Sequence, residues 1–237
     1  MASLELTIGN KNYSSWSMRP WVLMRQAGLP FSERLLRFDD FQPGSPFKTA
    51  LAALDSAGKV PVLRDGEVTV WDSLAICEYL AERFPDAGLW PADRAARAHA
   101  RSLCAEMHAG YGALRNHCPM NIEALLPEVG ARVLREQPGV AEDLARIVGL
   151  WSRLLERHGG PMLFGDFGIA DAYFAPVVMR IRTYALPVPP AVAAYLDRVE
   201  ALPGVADWVA GARAEKSYVA IDEPYRSERS VQLRWPD

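Results

Sequence analysis

The sequence has no dense run of lysine or arginine, and its formal net charge is -3. A nucleic-acid binder usually carries a basic face, so that class is not indicated. No apolar stretch approaches the roughly 18 residues that suggest a membrane span. The first ten residues, MASLELTIGN, have no basic start followed by an apolar core, so no secretory leader is predicted. Cysteine is scarce. Cys77, Cys104 and Cys118 are far apart, with no C-x-x-C and no Cys/His cluster of zinc type. An odd count of scattered thiols without a leader predicts reduced cysteines in a cytoplasm. Of the four histidines, His99, His108 and His117 recur every nine residues, which does not gather them on one helical face as ligands. No metal is expected. Internal repeats and low-complexity tracts are also missing. What remains is an ordinary globular composition, 50% hydrophobic and 23% charged. A length of 237 residues fits one large domain or two small ones.

The first third alternates between two periodicities. Leu4 to Gly9 has period-2 apolar character and predicts a strand. SWSMRPWVLMRQAG predicts a helix stopped at Gly28, with Pro30 beyond it. Phe31 to Phe38 is a second strand, DDFQPGSP a loop, and FKTALAALDSAG a short helix ending at Gly58. KVPVLRDGEVTVW predicts a hairpin through Asp65-Gly66. DSLAICEYLAERF follows as a helix capped by Asp72 or Ser73. After Phe84 the strand signals fade. PDAGLWPAD predicts a linker, and RAARAHARSLCAEMHAGYGALRNH one long helix. Helices are then expected in VAEDLARIVGLWSRLLERHG, IADAYFAPVVMRIRTYA, PAVAAYLDRVEAL and GVADWVAGARAE. The order βαβα then ββα implies a mixed sheet of thioredoxin-like plan. The expected fold is an α/β thioredoxin-like N-terminal domain (residues 1–84) followed by an all-α C-terminal helical bundle (residues 92–215). A tail (216–237) would wrap the body.

Three short stretches carry candidate chemistry. NYSSWSMRPW places Ser14, Ser15 and Ser17 around a helix start, because Pro20 should fit only in the first turn of that helix. A thioredoxin-type dithiol protein would carry C-x-x-C there. Ser14 and Ser17 have that spacing, and serine cannot form a disulfide. The hydroxyls are either helix caps or donors to a thiolate brought by a ligand, with Arg19 adding positive charge. GKVPVL places Pro61 inside a β run, which calls for an edge strand or a cis bond. A turned backbone at Val60 could pair with a peptide-like ligand. WDSLAI opens a helix directly after a strand. Asp72 and Ser73 there are either an ordinary cap or a site for an ammonium and a carboxylate together.

Together, SSWSMR, GKVPVL and WDSLAICEYL resemble the cytosolic glutathione transferase family, and S-S-x-S-x-R is similar to its serine-type, zeta-like members. These include maleylacetoacetate isomerases. The resemblance covers essentially the whole chain. It implies glutathione as co-substrate without a metal. Ser14 would activate the sulfur, supported by Ser15 and Arg19. Val60, ahead of a cis Pro61, would pair with the cysteinyl unit. Asp72 and Ser73 would hold the γ-glutamyl head, and Lys59 and Lys48 the glycyl carboxylate. A hydrophobic electrophilic small molecule would lie near His108, Tyr111 and Arg115. The family further implies a homodimer serving detoxification, with neither nucleic acid nor membrane as partner. Two departures stand out. Gly168 occupies the Ser/Thr position of the family's capping motif G-D-x-[ST]-x-A-D, in which Asp171 is kept. Trp16 stands where many zeta-type members have cysteine.

The implied chemistry has a definite size. A free thiol titrates near 8.5, and lowering that by about two units takes roughly 2.7 kcal/mol of preference for the anion. One hydroxyl donor, a helix N-terminus and a nearby arginine can supply it. The expected reaction is thiolate attack on an electrophilic carbon. The alternatives are a glutathione-dependent cis–trans isomerase of maleylacetoacetate type, and a non-catalytic member that binds glutathione or a protein.

Overall fold

The computed structural model describes residues 4–38 and 41–235. Asp39 and Asp40, which open the expected loop, lie outside the described residues, as do 1–3 and the last two of the tail. Four strands form one sheet: β1 (Leu4–Ile8), β2 (Phe31–Leu35), β3 (Val62–Asp65) and β4 (Val68–Trp71), in the order β2-β1-β3-β4. β1 and β2 run parallel, Leu4 opposite Phe31. β3 is antiparallel to β1, with Leu6 opposite Leu63, and also to β4, with Asp65 opposite Val68. The parallel pair needs a crossover, and α1 (Ser15–Gln26) supplies it. α2 (Pro46–Ala52) stops six residues before Gly58, and α3 (Ser73–Arg83) follows β4 directly.

Strand alternation sorts the core. Leu6, Ile8 and Leu63 join Met18, Val22, Ile76 and Leu80 on the face covered by α1 and α3. Val62, one residue from Leu63, points the other way onto Phe47 and Leu51 of α2.

The second half is helical: α4 (Arg94–Ala109), α5 (Gly112–His117), α6 (Pro127–Glu136), α7 (Pro138–His158), α8 (Ile169–Thr183), α9 (Pro190–Ala201) and α10 (Pro203–Glu215). The expected linker is anchored rather than free: Leu89 and Trp90 are buried, and the Leu89 carbonyl accepts from Ile169 N. One core cluster runs from β1 through α8 to α10, so the sheet layer and the helices share an interior. No helix among the described residues is long and apolar enough to cross a membrane.

Three local readings are corrected. The long helix expected over 94–117 breaks at Gly110, whose backbone is extended, and at Tyr111 (φ 55°). The Tyr111 hydroxyl donates to Glu106 Oε1, and Asp143 Oδ2 accepts from Leu114 N at the start of α5. α6 was not expected. Pro127 opens it, and Val129 and Val133 bury one face. Its Gly130 is required by a close approach, since a Cβ there would meet the Tyr184 carbonyl oxygen at 1.9 Å. Pro20 sits past the first turn, because α1 already begins at Ser15. Ser14 and Ser15 nevertheless mark the helix start, one turn ahead of the proline.

Candidate active site

Ser14 is the residue before α1, yet its side chain caps no backbone N–H of the helix. Its Oγ donates to Ser17 Oγ at 2.7 Å, and Ser17 Oγ also accepts from Gly9 N at 3.2 Å. The C-x-x-C spacing therefore does bring two side chains together, as a hydrogen bond tying the turn to the end of β1. Ser15 is held differently. Its carbonyl accepts from Arg19 Nη1 at 3.0 Å, and its Oγ accepts from Arg180 Nη2 at 3.3 Å. Arg180 belongs to α8, so this contact joins the sheet layer to the helical half.

A cleft of about 500 Å³ opens beside this turn. Trp16, Lys59, Val60, Pro61, Asp72 and Ser73 reach it from the first third, with the half-exposed Trp71. His108 and Arg115 reach it from the helices. The break at Gly110 is what turns the last turn of α4 and the body of α5 onto one cleft. The Val60–Pro61 bond is cis. The β3–β4 ladder ends at Val62 opposite Trp71, which leaves Val60 outside it.

Asp72 caps α3, its Oδ1 accepting from Leu74 N at 2.8 Å, and has φ 73°. A left-handed backbone at a non-glycine residue is strained, and such strain gathers at functional sites. Its other oxygen faces His108 Nε2 at 3.4 Å. Ser73 Oγ pairs with the Tyr173 hydroxyl at 3.1 Å, and His108 Nδ1 lies 2.8 Å from that same hydroxyl. The imidazole packs on Trp16 at 5.2 Å.

Arginine charge dominates the deep side. Arg19 is fully buried between the rings of Trp16 (4.0 Å) and Tyr173 (4.8 Å), and its Nε donates to the Tyr173 carbonyl. Arg180 is 4% exposed and donates also to the carbonyls of Cys118 and Pro176. Burial pulls both guanidiniums down, Arg19 to about 9 and Arg180 to about 10, with Arg115 adding repulsion to each. Both remain protonated at neutral pH. Arg19 Nη2 and Arg115 Nε are buried without a hydrogen-bond partner among the described residues.

Five of the expected residues do not line the cleft: Ser14, Ser15 and Arg19 are buried in the turn beside it, and two more lie elsewhere. Lys48 is on α2 with its ammonium over Phe47, and Tyr111 is buried with its hydroxyl on Glu106; neither lines the cleft. Sequence reasoning missed Tyr173 and Arg180. One signal pointed to Arg180: it is a charged residue within a helix buried on nearly every side. The cysteines are buried and free, and desolvation pushes each thiol up, Cys118 to about 12. None of them is a ready nucleophile.

The capping motif keeps its carboxylate half. Asp171 accepts from Gly168 N and Leu163 N at 3.1 Å and from the Tyr195 hydroxyl at 3.0 Å. Burial raises it to about 6.

Comparison with known proteins adds independent findings. Residues 13–83 match the glutathione S-transferase N-terminal domain, and residues 95–211 match the glutathione S-transferase C-terminal domain. The chain is 29% identical to glutathione S-transferase 1 of Dianthus caryophyllus, over 72% of this chain and 74% of that protein. It is 33% identical to a probable maleylacetoacetate isomerase of Caenorhabditis elegans, over 60% and 65%. A glutathione transferase homologue from Burkholderia gl BGR1, solved with bound glutathione, superposes with a TM-score of 0.66 at 28% identity. That match covers 90% of this chain and 98% of the other.

Proposed function

Because the chain belongs to the glutathione S-transferase family, we propose that its Trp16–Arg115 cleft binds glutathione and transfers the sulfur to an electrophilic small molecule. Residues 1–84 hold the tripeptide, and residues 92–215 supply the wall for the second substrate. The observation that carries this reading is the Asp72–Ser73 pair at the start of α3, with Val60 on the same cleft. One carboxylate, one hydroxyl and a helix N-terminus suit an amino-acid head group. A peptide unit outside its ladder suits the backbone of a short peptide. Asp72 takes the ammonium, Ser73 the α-carboxylate, and Val60 the cysteinyl unit. Lys59, at the cleft, is better placed than Lys48 for the glycyl carboxylate.

The sulfur lies at the serine turn, where the helix N-terminus and the arginines favour its anion. The thiol proton leaves to solvent. A sulfur lone pair then forms the C–S bond, and the leaving group departs with its bonding electrons. Trp16, His108 and Arg115 orient the electrophile beside it, and proximity lowers the remaining barrier. The similarity to a probable maleylacetoacetate isomerase favours a second reading, in which the same thiolate adds reversibly to a conjugated double bond. We further place the protein in the cytoplasm as a homodimer serving detoxification. Its free, buried thiols fit a reducing compartment.

Turnover of a chloronitroaromatic tests the reaction. The expected result is a conjugate formed only with glutathione. Isomerisation of a conjugated cis double bond without conjugation would select the second reading. Neither activity, together with no calorimetric glutathione binding, would overturn the proposal.

A further inference from the structure

Buried charges are normally paired with a counter-charge, because desolvation costs several kcal/mol per ion. Arg19 and Arg180 do not follow that rule. Their hydrogen bonds go to the carbonyls of Ser15, Tyr173, Cys118 and Pro176 and to the Ser15 hydroxyl, and none goes to a carboxylate among the described residues. Arg115 stands close enough to repel both and lies over Trp16 at 5.4 Å. Three guanidiniums thus crowd one turn, with no ion pair to an acid among the described residues. An arrangement that is unfavourable when empty becomes favourable around a bound anion.

Ser15 is where this charge converges. Of the serines in the turn, it alone has both its carbonyl and its hydroxyl oxygen held by guanidiniums. A hydroxyl oxygen that accepts from Arg180 is polarised, and its own proton points away from that donor. Ser14 is differently engaged: its proton goes to Ser17, whose oxygen is already fixed by Gly9 N. Reusing the Ser14 proton for a sulfur would break a 2.7 Å hydrogen bond that secures the turn.

We propose that Ser15 donates the hydrogen bond to the glutathione thiolate, and that Arg180 of α8 is a positioning residue acting through the Ser15 hydroxyl. The inference rests on the glutathione reading and deepens it. Ser14 then shapes the turn, and the helical half of the molecule contributes directly to sulfur activation. The sequence-based assignment moves by one residue.

The test is an ultraviolet titration of the thiolate in the glutathione complex of Ser14→Ala, Ser15→Ala, Arg180→Lys and Ser15→Ala/Arg180→Lys. Calorimetry on each variant confirms that glutathione is bound. Ser15→Ala should raise the midpoint by at least about one unit, a tenfold change in the thiol–thiolate equilibrium constant. Ser15→Thr, which keeps a hydroxyl, should restore most of it. Ser14→Ala should shift the midpoint by less than about half a unit. Lysine keeps the charge of Arg180 but cannot reach three acceptors. Arg180→Lys should therefore raise the midpoint in the native background and add nothing once Ser15 is alanine. A shift in Ser14→Ala with none in Ser15→Ala would overturn the inference and leave the serine reading standing. No shift in either would overturn the serine reading itself. An equal shift from Arg180→Lys in both backgrounds would show that the arginine does not act through Ser15. The serine comparison needs only the alanine variants, so it decides the donor whatever the stability of Arg180→Lys.

Discussion

Ser73 shows how a single side chain can be legible by type and illegible by partner. A Ser directly after Asp, between a strand and an apolar helix pattern, marks a helix start. α3 does begin there, with Asp72 as its cap. Nothing local announces Tyr173, whose hydroxyl pairs with Ser73 across 100 residues of sequence. The same limit hid Arg180 from Ser15, 165 residues away. Local chemistry can be read from spacing, while long-range partners exist only once helices pack. Ser73 is 2% exposed, so its hydroxyl cannot be exchanged for water at little cost. Ser73→Ala should weaken glutathione binding by roughly 1–3 kcal/mol, the range for a buried group that loses its partner. Calorimetric titration of the folded variant checks this, and unchanged affinity would remove Ser73 from the head-group site.

At the scale of elements, those with strong periodicity were readable and those fixed by neighbours were not. α7 and α8 follow their apolar patterns, whereas the break between α4 and α5 depends on Glu106 and Asp143 accepting from Tyr111 and Leu114. α6 is short and bounded by proline, which masked its period. The tail after α10 had no period at all, and the structure supplies its role. Glu223 is buried and accepts from the Tyr13 hydroxyl (2.7 Å), Asn121 Nδ2 (2.7 Å) and the guanidinium of Arg226. Arg229 pairs with Glu123, Ser217 Oγ accepts from Asn10 Nδ2, and Glu215 at the end of α10 accepts from Lys11 N and Asn10. The tail therefore clamps the loop that leads into Ser14. Glu223→Ala would leave Arg226 buried without its counter-charge, so it should cost about 3–5 kcal/mol of stability. Glu223→Ala/Arg226→Met should recover part of that loss, since it removes both charges. Denaturant midpoints measure both variants. A Glu223→Ala protein as stable as the native one would show that the strap bears no weight.

For the whole molecule, the division into a mixed sheet layer and a helical half followed from where the period-2 signals stop. The way the two halves meet did not. α1 and α8 touch through Arg19 and Arg180, which places uncompensated positive charge beside the serine turn, at the junction of the two layers. The central claim is that this junction makes bound glutathione a thiolate at neutral pH. The most direct measurement is the ultraviolet titration midpoint of the thiol in the native protein's glutathione complex. A free thiol titrates near 8.5, and the expected midpoint is about two units lower, with most of the thiolate absorbance persisting at pH 7 and fading in acid. A saturated complex whose thiol titrates at the free value would contradict the claim.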